Sequence, residues 1–120
     1  MSLILKELGR GLITGSNYAT ANTIYTNPTT KDSMVTRIKL YNDHSGDVVV
    51  TICFVPDAAG VADTADVLDI QYYITMNTKE TVEIDTKIFM IGTGETIQAY
   101  ADVASKVNIF LHGAQYGDQT

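Results

Sequence analysis

Apolar and polar residues alternate along most of the chain after residue 22. Between residues 68 and 74 the even positions carry Leu, Ile, Tyr and Ile, whereas Asp69, Gln71 and Tyr73 occupy the odd positions. The segments 81–85 and 107–112 repeat this pattern. A period of two is typical of a β-strand that buries one face. The pattern predicts a protein built mainly from strands.

Turn-forming residues separate these segments at short intervals. Asn27-Pro28 predicts a turn, the run 42–47 predicts a hairpin turn, and the glycines of 92–95 are interpreted as hairpin residues that need positive φ. About eight strands in one domain of 120 residues favour an all-β fold, a single antiparallel β-sandwich of jelly-roll-like form. The predicted strands cover 23–25, 34–41, 48–55, 67–75, 80–85, 96–102 and 106–114, with 87–91 as either a short strand or a turn of helix.

Parity within each predicted strand assigns the core. In 34–41 the face with Met34 and Thr36 is expected to be buried and the face with Val35 exposed. The strand 48–55 is apolar on both faces, as in a central strand that is covered on both sides. The predicted core consists of Ile38, Leu40, Val48, Val50, Ile52, Phe54, Leu68, Ile70, Ile74, Val82, Ile84, Ile97, Val107, Ile109 and Leu111.

Residues 1–21 follow a different pattern, in which glycines at 9, 11 and 15 interrupt short apolar pieces. We interpret them as an extended N-terminal arm, with a first strand within it as an option, followed by a sandwich domain of residues 22–120. The arm has many apolar residues for a solvated tail, so we expect it to contact a neighbouring molecule. The alternative is an ordinary strand on its own domain. The predicted contact residues are Leu3, Ile4, Leu5, Leu8, Leu12 and Ile13.

Seven tyrosines are present and no tryptophan. Tyr41, Tyr73 and Tyr100 have the parity opposite to the apolar face of their strands. Exposed tyrosines are frequent at interfaces because they offer a large contact area and a hydroxyl at low entropic cost. These three residues complete the predicted interface, with packing on a second face or a carbohydrate platform as alternatives.

Composition narrows the possible partners. The net charge of −6 argues against nucleic acid, which requires a basic surface to neutralise phosphates. No apolar run reaches the length of a membrane span, so no membrane partner is expected. Charged residues make up only 18% of the chain, which favours a surface that is covered in an assembly. Cys53 is the only cysteine and lies in an apolar strand, so we expect a buried, inert thiol.

Catalytic chemistry has little support in the sequence. His44 and His112 are the only histidines, and neither has a partner at zinc-ligand spacing. The acidic residues of the segment 57–69 form either a solvated loop or a calcium site, although their spacing differs from that of an EF-hand. We predict no catalytic residue, no cofactor and no metal, and a protein that is not an enzyme. Whether the loop 57–69 binds calcium stays open.

Four stretches carry a resemblance to a known group of proteins. They are Thr-Ile-Tyr-Thr-Asn-Pro at 23–28, Val-Thr-Arg-Ile-Lys-Leu-Tyr-Asn at 35–42, Gly-Glu-Thr-Ile-Gln-Ala-Tyr-Ala at 94–101 and Val-Asn-Ile-Phe-Leu-His-Gly at 107–113. Over about residues 22–113 the chain resembles small β-sandwich virion proteins of tailed bacteriophages. Glu95 stands where that group more often has aspartate, which matters little in a turn.

The resemblance implies assembly rather than catalysis. It favours a capsid cement or decoration protein that binds the outer shell and stabilises it, with a tail, neck or fibre component as the alternative. It further implies a homo-oligomer, a phage capsid or tail protein as partner, and a place in the virion after assembly in the host cytoplasm. A glycan-binding β-sandwich module is the alternative from a different functional class.

Overall fold

The computed structural model of this chain describes residues 2–28, 31–56, 69–90 and 94–117, with side chains described from residue 5 in β1 and from residue 72 in β5. These residues form eight strands and one 3₁₀ turn at Tyr18–Thr20, which confirms the predicted all-β fold. The strands are β1 (Ser2–Ile13), β2 (Asn22–Thr26), β3 (Lys31–Asn42), β4 (Val48–Val55), β5 (Asp69–Met76), β6 (Thr81–Met90), β7 (Thr96–Ala101) and β8 (Val107–Gly117).

The strands form two four-stranded antiparallel sheets that pack face to face. Sheet I has the order β1-β8-β3-β6 and sheet II has the order β2-β7-β4-β5. Consecutive strands belong to different sheets, except β4 and β5, which are neighbours in sheet II. An eight-stranded, two-sheet arrangement of this kind is a jelly roll. The predicted jelly-roll-like sandwich is therefore confirmed.

This topology corrects the predicted hairpins. The run 42–47 connects β3 of sheet I to β4 of sheet II, and Gly94 lies between β6 of sheet I and β7 of sheet II. Gly94 has φ of 83°, so the expected positive φ is confirmed there, whereas Gly92 lies outside the described residues. Turn composition marks where the chain reverses, but it does not determine which sheet receives the next strand.

The core lies between the sheets. Nine predicted core residues are buried, namely Ile38, Leu40, Val48, Val50, Ile52, Ile97, Val107, Ile109 and Leu111. Phe54, Ile74, Val82 and Ile84 are half-buried and pack against them. The side chains of Leu68 and Ile70 lie outside the described residues. β4 is also buried on its outward side at Cys53 and Val55, which confirms that this strand is covered on both faces.

The predicted faces were wrong at the start of β3. Val35 is fully buried and Met34 is half-buried, the reverse of the expected order. The register of β3 with both β6 and β8 shifts between Val35 and Arg37, so Thr36 occupies a β-bulge. A bulge adds one residue to a strand and reverses the parity on its far side. Alternation alone therefore assigned the wrong face upstream of Thr36.

The segments 80–85 and 87–91 were expected as separate elements, but Thr81–Met90 is a single strand. Alternation continues through its second half, where Ile88 and Met90 are buried and Phe89 is exposed. β6 is an edge strand of sheet I, and its outward positions carry Thr81, Glu83, Asp85, Lys87 and Phe89.

The N-terminal segment forms an ordinary strand in this structure. β1 pairs antiparallel with β8 at the edge of sheet I, and Ile13 is fully buried in the core. A Cβ atom at Gly9 would lie 2.3 Å from the carbonyl oxygen of Ile24 in β2, so glycine permits a close approach where the two sheets meet. The division into an arm of residues 1–21 and a domain of residues 22–120 stays a prediction.

A chain of buried polar groups joins the two sheets at one end of the core. Gln115 Nε2 donates to the Tyr25 hydroxyl at 2.6 Å, and Ser33 Oγ donates to Asn27 Oδ1 at 2.7 Å. Because the Ser33 proton is used in that bond, the 2.6 Å contact between the Tyr25 and Ser33 oxygens has Tyr25 as donor. The chain links β2 of sheet II to β3 and β8 of sheet I.

Candidate interaction surfaces

The outer face of sheet I is built from four strands in register. On β8 the odd positions Val107, Ile109 and Leu111 face the core, so the even positions face outward. The pairing of β8 with β1 and β3, and of β3 with β6, arranges the outward residues in rows across the sheet. Each row takes one residue from each strand.

One row on this face is apolar. Leu5, Ala114, Met34 and Phe89 are aligned across β1, β8, β3 and β6, and we call them the apolar row. Leu5 is 78% exposed and Phe89 is 55% exposed, whereas Ala114 is buried between its neighbours. Large apolar side chains that are aligned and exposed in this way are typical of a surface that contacts another molecule.

Charged residues occupy the adjacent part of the same face. They line a shallow depression of about 840 Å³ whose walls include Glu7, Arg37, Asp85 and His112. The bulges of β1, between Glu7 and Gly9, and of β3 lie at this level, next to Gly113 of β8. Bulges increase the local twist of a strand and redirect side chains, which explains why the sheet surface is concave here.

The charges in this depression are largely neutralised by ion pairs between neighbouring strands. Arg37 Nε lies 3.2 Å from Asp85 Oδ1, and Lys39 Nζ lies 3.8 Å from Glu83 Oε1. Both pairs are well exposed to solvent, so each contributes little to the free energy of unfolding. Their role is to make this face nearly neutral on a protein whose net charge is −6.

The two histidines lie on different elements. His112 is in the middle of β8 and is aligned with Glu7 of β1 and Arg37 of β3. His44 is in the β3–β4 connection, where its backbone N–H donates to Asn42 Oδ1 at 2.9 Å. Within the described ranges no three His, Cys, Asp or Glu side chains are grouped to hold a metal ion. The acidic segment 57–68 lies outside those ranges.

The outer face of sheet II carries two of the three predicted tyrosines in one row. Tyr100 of β7 and Tyr73 of β5 are both aligned with Thr51 of β4, which lies between them. Tyr73 is 73% exposed, and Tyr100 is half-buried against Cys53 and Val55. Tyr41 belongs to sheet I instead, in the row that contains Asn108 and Thr81. The structure therefore divides the predicted tyrosine set between two faces.

The predicted contact residues of β1 have different environments. Leu5 and Leu12 are exposed on the outer face of sheet I, the latter by 43%. Leu8 lies at the bulge and packs against the core, and Ile13 belongs to the core itself. The side chains of Leu3 and Ile4 lie outside the described residues. The assignment of these residues to an intermolecular interface stays a prediction.

Sequence reasoning missed Met34 and Phe89 as surface residues. Phe89 has the same parity as Glu83 and Asp85 within one strand, so continuing the alternation of 81–85 would have identified it. Met34 had no such signal, because the bulge at Thr36 that reverses its parity is not marked by glycine or proline.

Burial determines the state of Cys53. The thiol is fully buried on the outward side of β4, and desolvation raises its pKa to about 11. A buried thiol that remains protonated is a poor nucleophile. The expected inert environment of Cys53 is confirmed.

An ion pair stabilises the corner between two inter-sheet connections. Lys79 Nζ donates to Asp43 Oδ1 and to the Asp43 carbonyl oxygen, both at 2.8 Å. The hydrogen bond and the charge of Lys79 hold the pKa of the Asp43 carboxyl below its ordinary value, and the same hydrogen bond raises the pKa of Lys79. Both side chains are exposed, so the pair is a structural feature of the surface rather than a reactive site.

Comparison with known proteins finds similar folds among solved structures but no relative by sequence. No family model and no curated protein matches the sequence. A chain from the Bacillus endospore appendages, a novel family of disulfide-linked pili, is 17% identical with a TM-score of 0.52, over 97% of this chain and 88% of that chain. A chain from the virus-like particle of extra small virus of the giant freshwater prawn Macrobrachium rosenbergii is 12% identical with a TM-score of 0.46, over 99% and 82%. The pilus likeness establishes a shared fold.

The described surfaces offer several features that are suited to binding. They present an apolar row, a nearly neutral charged depression and a pair of tyrosines, all on strands. No helix in the described part of the chain is long and apolar enough to cross a membrane.

Proposed function

We propose that this chain is a structural protein of a virion, of the cement or decoration type of tailed bacteriophages. The observation that carries the proposal is that a jelly roll exposes large apolar side chains on the outer faces of both sheets, with Leu5 and Phe89 on sheet I and Tyr73 on sheet II. A protein that contacts copies of itself on one face and a shell on another requires two such surfaces. Its role is non-enzymatic.

The solved relative and the sequence resemblance support an assembly role. The relative with the same fold is a component of a pilus, which is also an assembly of repeated subunits. Its linkage by disulfides cannot be shared, because this chain has one cysteine and its thiol is buried. Association must then rest on non-covalent surfaces. The strand motifs of residues 22–113 add the resemblance to phage virion proteins.

Cryo-electron microscopy of particles from cells that carry this coding sequence tests the proposal. Antibodies against the chain should label such particles, and the density of the jelly roll should repeat over the capsid surface. Density confined to the tail, neck or fibres would favour the alternative virion role. Particles that lack the chain altogether would overturn the proposal.

A second measurement tests the cement role directly. Particles stripped of this protein and then reconstituted with it should resist heat or low-salt disruption better than stripped particles do. The Tyr73→Ser variant should be compared with the unchanged protein in this reconstitution. Residue 73 is exposed on sheet II and does not support the core, so the substitution changes the surface and not the fold. Reconstitution without any gain in particle stability would contradict a cement function.

The glycan-binding alternative rests on one observation. Tyr73 and Tyr100 flank Thr51 on the outer face of sheet II, at roughly 10 Å from each other for strands about 4.8 Å apart. Aromatic side chains that flank a hydroxyl offer a platform for a sugar ring. Titration of the purified chain with an oligosaccharide library, with Tyr73→Ala as the matched variant, distinguishes this function from assembly. Saturable binding that is lost in Tyr73→Ala would favour it.

A further inference from the structure

The apolar row has a specific distribution of charge on its two sides. On β3, Asp32 lies on one side of Met34 and Arg37 lies on the other, because the bulge takes up Thr36. On β8, Tyr116 lies on one side of Ala114 and His112 on the other. A carboxylate and a guanidinium therefore flank the row at similar distances, as do a phenol and an imidazole.

We propose that two copies of this chain pack sheet I against sheet I about a two-fold axis that runs along the apolar row. Such an axis places Leu5, Met34 and Phe89 against the same residues of the second copy. It also places Asp32 opposite Arg37 of the second copy, and Tyr116 opposite His112, each twice. A two-fold interface requires this self-complementarity, in which residue i contacts j and j contacts i.

The charges select this axis over the other in-plane arrangement. A two-fold axis parallel to the strands would place β1 against β6 and β8 against β3. Glu7 would then oppose Asp85, and His112 would oppose Arg37. Two carboxylates facing each other in a desolvated interface disfavour that dimer. The axis along the apolar row avoids both contacts.

The geometry of the face is compatible with sheet packing. Two sheets pack about 10 Å apart with their strands within about 30° of each other, and an axis perpendicular to the strands keeps the strands aligned. The row is roughly 14 Å long for four strands about 4.8 Å apart. A contact of this width falls at the lower end of specific interfaces, so we expect a dimer that dissociates on dilution.

This inference deepens the self-association that is part of the proposed function, since it names the surface used. The tests below use the purified chain without any particle. Failure of the dimer would therefore leave the virion role intact, and absence from virions would leave the dimer intact.

Cross-linking provides the first test. The axis passes beside residue 34, so a short bis-maleimide that spans about 10 Å, the separation of two packed sheets, should join the two copies of Met34→Cys. The matched control is Lys39→Cys, on the same strand and the same face, whose two copies would lie about 25–30 Å apart. The native Cys53 is buried and does not compete. Cross-linking of Met34→Cys that is no faster than that of Lys39→Cys would overturn the proposal.

Charge exchange provides the second test, measured by sedimentation equilibrium. Asp32→Arg places like charges across the axis and should weaken the dimer at least about tenfold. The double variant Asp32→Arg/Arg37→Asp restores opposite charges and should recover most of that loss. A double variant that dimerises no better than Asp32→Arg would contradict the axis, because a merely local effect of Asp32 cannot be rescued from position 37.

Two further variants control for folding and for the other face. Leu5→Ser changes a residue that is 78% exposed, so it should preserve the fold and abolish the dimer. Tyr73→Ser, on sheet II, should leave the dimer unchanged. Thermal unfolding of each variant verifies that the monomer is intact. A wild-type chain that remains monomeric at about 100 μM would also overturn the proposal.

Discussion

Cys53 and Asp43 show how the position of one residue determines its chemistry. Both belong to residue types that react or titrate readily in water, but Cys53 is enclosed by β4 and its neighbours, whereas Asp43 is fixed by Lys79 at an exposed corner. Burial favours the neutral thiol, and a cation favours the charged carboxylate. Opposite shifts in pKa follow, and each can be measured.

Cys53 should resist thiol reagents in the folded protein at pH 8 and react fully in denaturant. Its pKa is raised from 9.0 to about 11, so the stabilisation by the neutral thiol is complete below pH 9 and is lost as the pH rises through about 11. A colorimetric thiol assay measures this, with Tyr73→Cys as an exposed positive control. Equal rates for Cys53 in the folded and unfolded states would contradict the burial.

Asp43→Asn should reduce the loss of stability in acid. The folded pKa of Asp43 lies below its ordinary value of 3.8, so its contribution is present above pH 3.8 and is lost as the pH falls through the folded pKa. The variant should therefore show a smaller difference between the urea midpoints at pH 5 and pH 2. Asp47→Asn, in the same connection but outside the ion pair, should behave like the wild type.

At this scale the sequence predicted burial well where parity is uninterrupted. Val107, Ile109 and Leu111 are all buried as expected, because β8 keeps its alternation through those positions. The predicted burial of Val35 and Met34 was the reverse of the observed burial. The cause is the bulge at Thr36, which depends on the pairing of β3 with β6 and β8 and is not encoded by any local sequence pattern. The predicted interface residues differ in exposure, since exposure depends on the neighbouring strand as well as on parity.

Elements depend on contacts that the sequence does not show locally. β1 has a glycine-interrupted pattern because Gly9 faces β2 at a distance that no side chain allows. This close approach also explains why the apolar pattern did not predict β1, since inward positions that would otherwise carry core residues carry glycine. The run 42–47 was likewise recognised as a turn, but its connection between sheets follows from the pairing of β4 with β5 and β7.

Gly9→Ala and Gly11→Ala form a matched pair on β1. A Cβ at Gly9 would overlap the backbone oxygen of Ile24, and relief requires movement of β2, so we expect a loss of about 1–3 kcal/mol in the free energy of unfolding. No atom lies within 4 Å of a Cβ at Gly11, so that variant should be nearly neutral. Urea denaturation measures both. Equal effects would contradict the close approach of β1 to β2.

Tyr25→Phe should destabilise the link between the sheets. The change removes the hydroxyl that accepts from Gln115 and donates to Ser33 in a buried site, at a cost of about 1–3 kcal/mol. Tyr18→Phe, at an exposed position, serves as the control. Denaturant midpoints of the two variants give the comparison, and a neutral Tyr25→Phe would show that the polar chain contributes nothing.

The sandwich is complete only when β1 pairs with β8, the first and the last of the described strands. β1 supplies Ile13 to the core and covers the outer edge of β8. Deletion of residues 1–14 should therefore prevent stable folding, as judged by circular dichroism and by the loss of a cooperative thermal transition. A truncated chain that folds cooperatively and loses only self-association would instead support an arm that acts between molecules.

The order of strands also has a consequence for synthesis on the ribosome. β8 lies between β1 and β3 in sheet I, although it is the last of the described strands to be made. Before Val107–Gly117 emerges, β1 and β3 have no common neighbour, and the apolar faces of both sheets stay accessible to chaperones and proteases. Folding of the sandwich is therefore delayed until Val107–Gly117 has been made. A translation product that ends before Val107 lacks the strand between β1 and β3, so we expect it to be degraded rather than incorporated into an assembly.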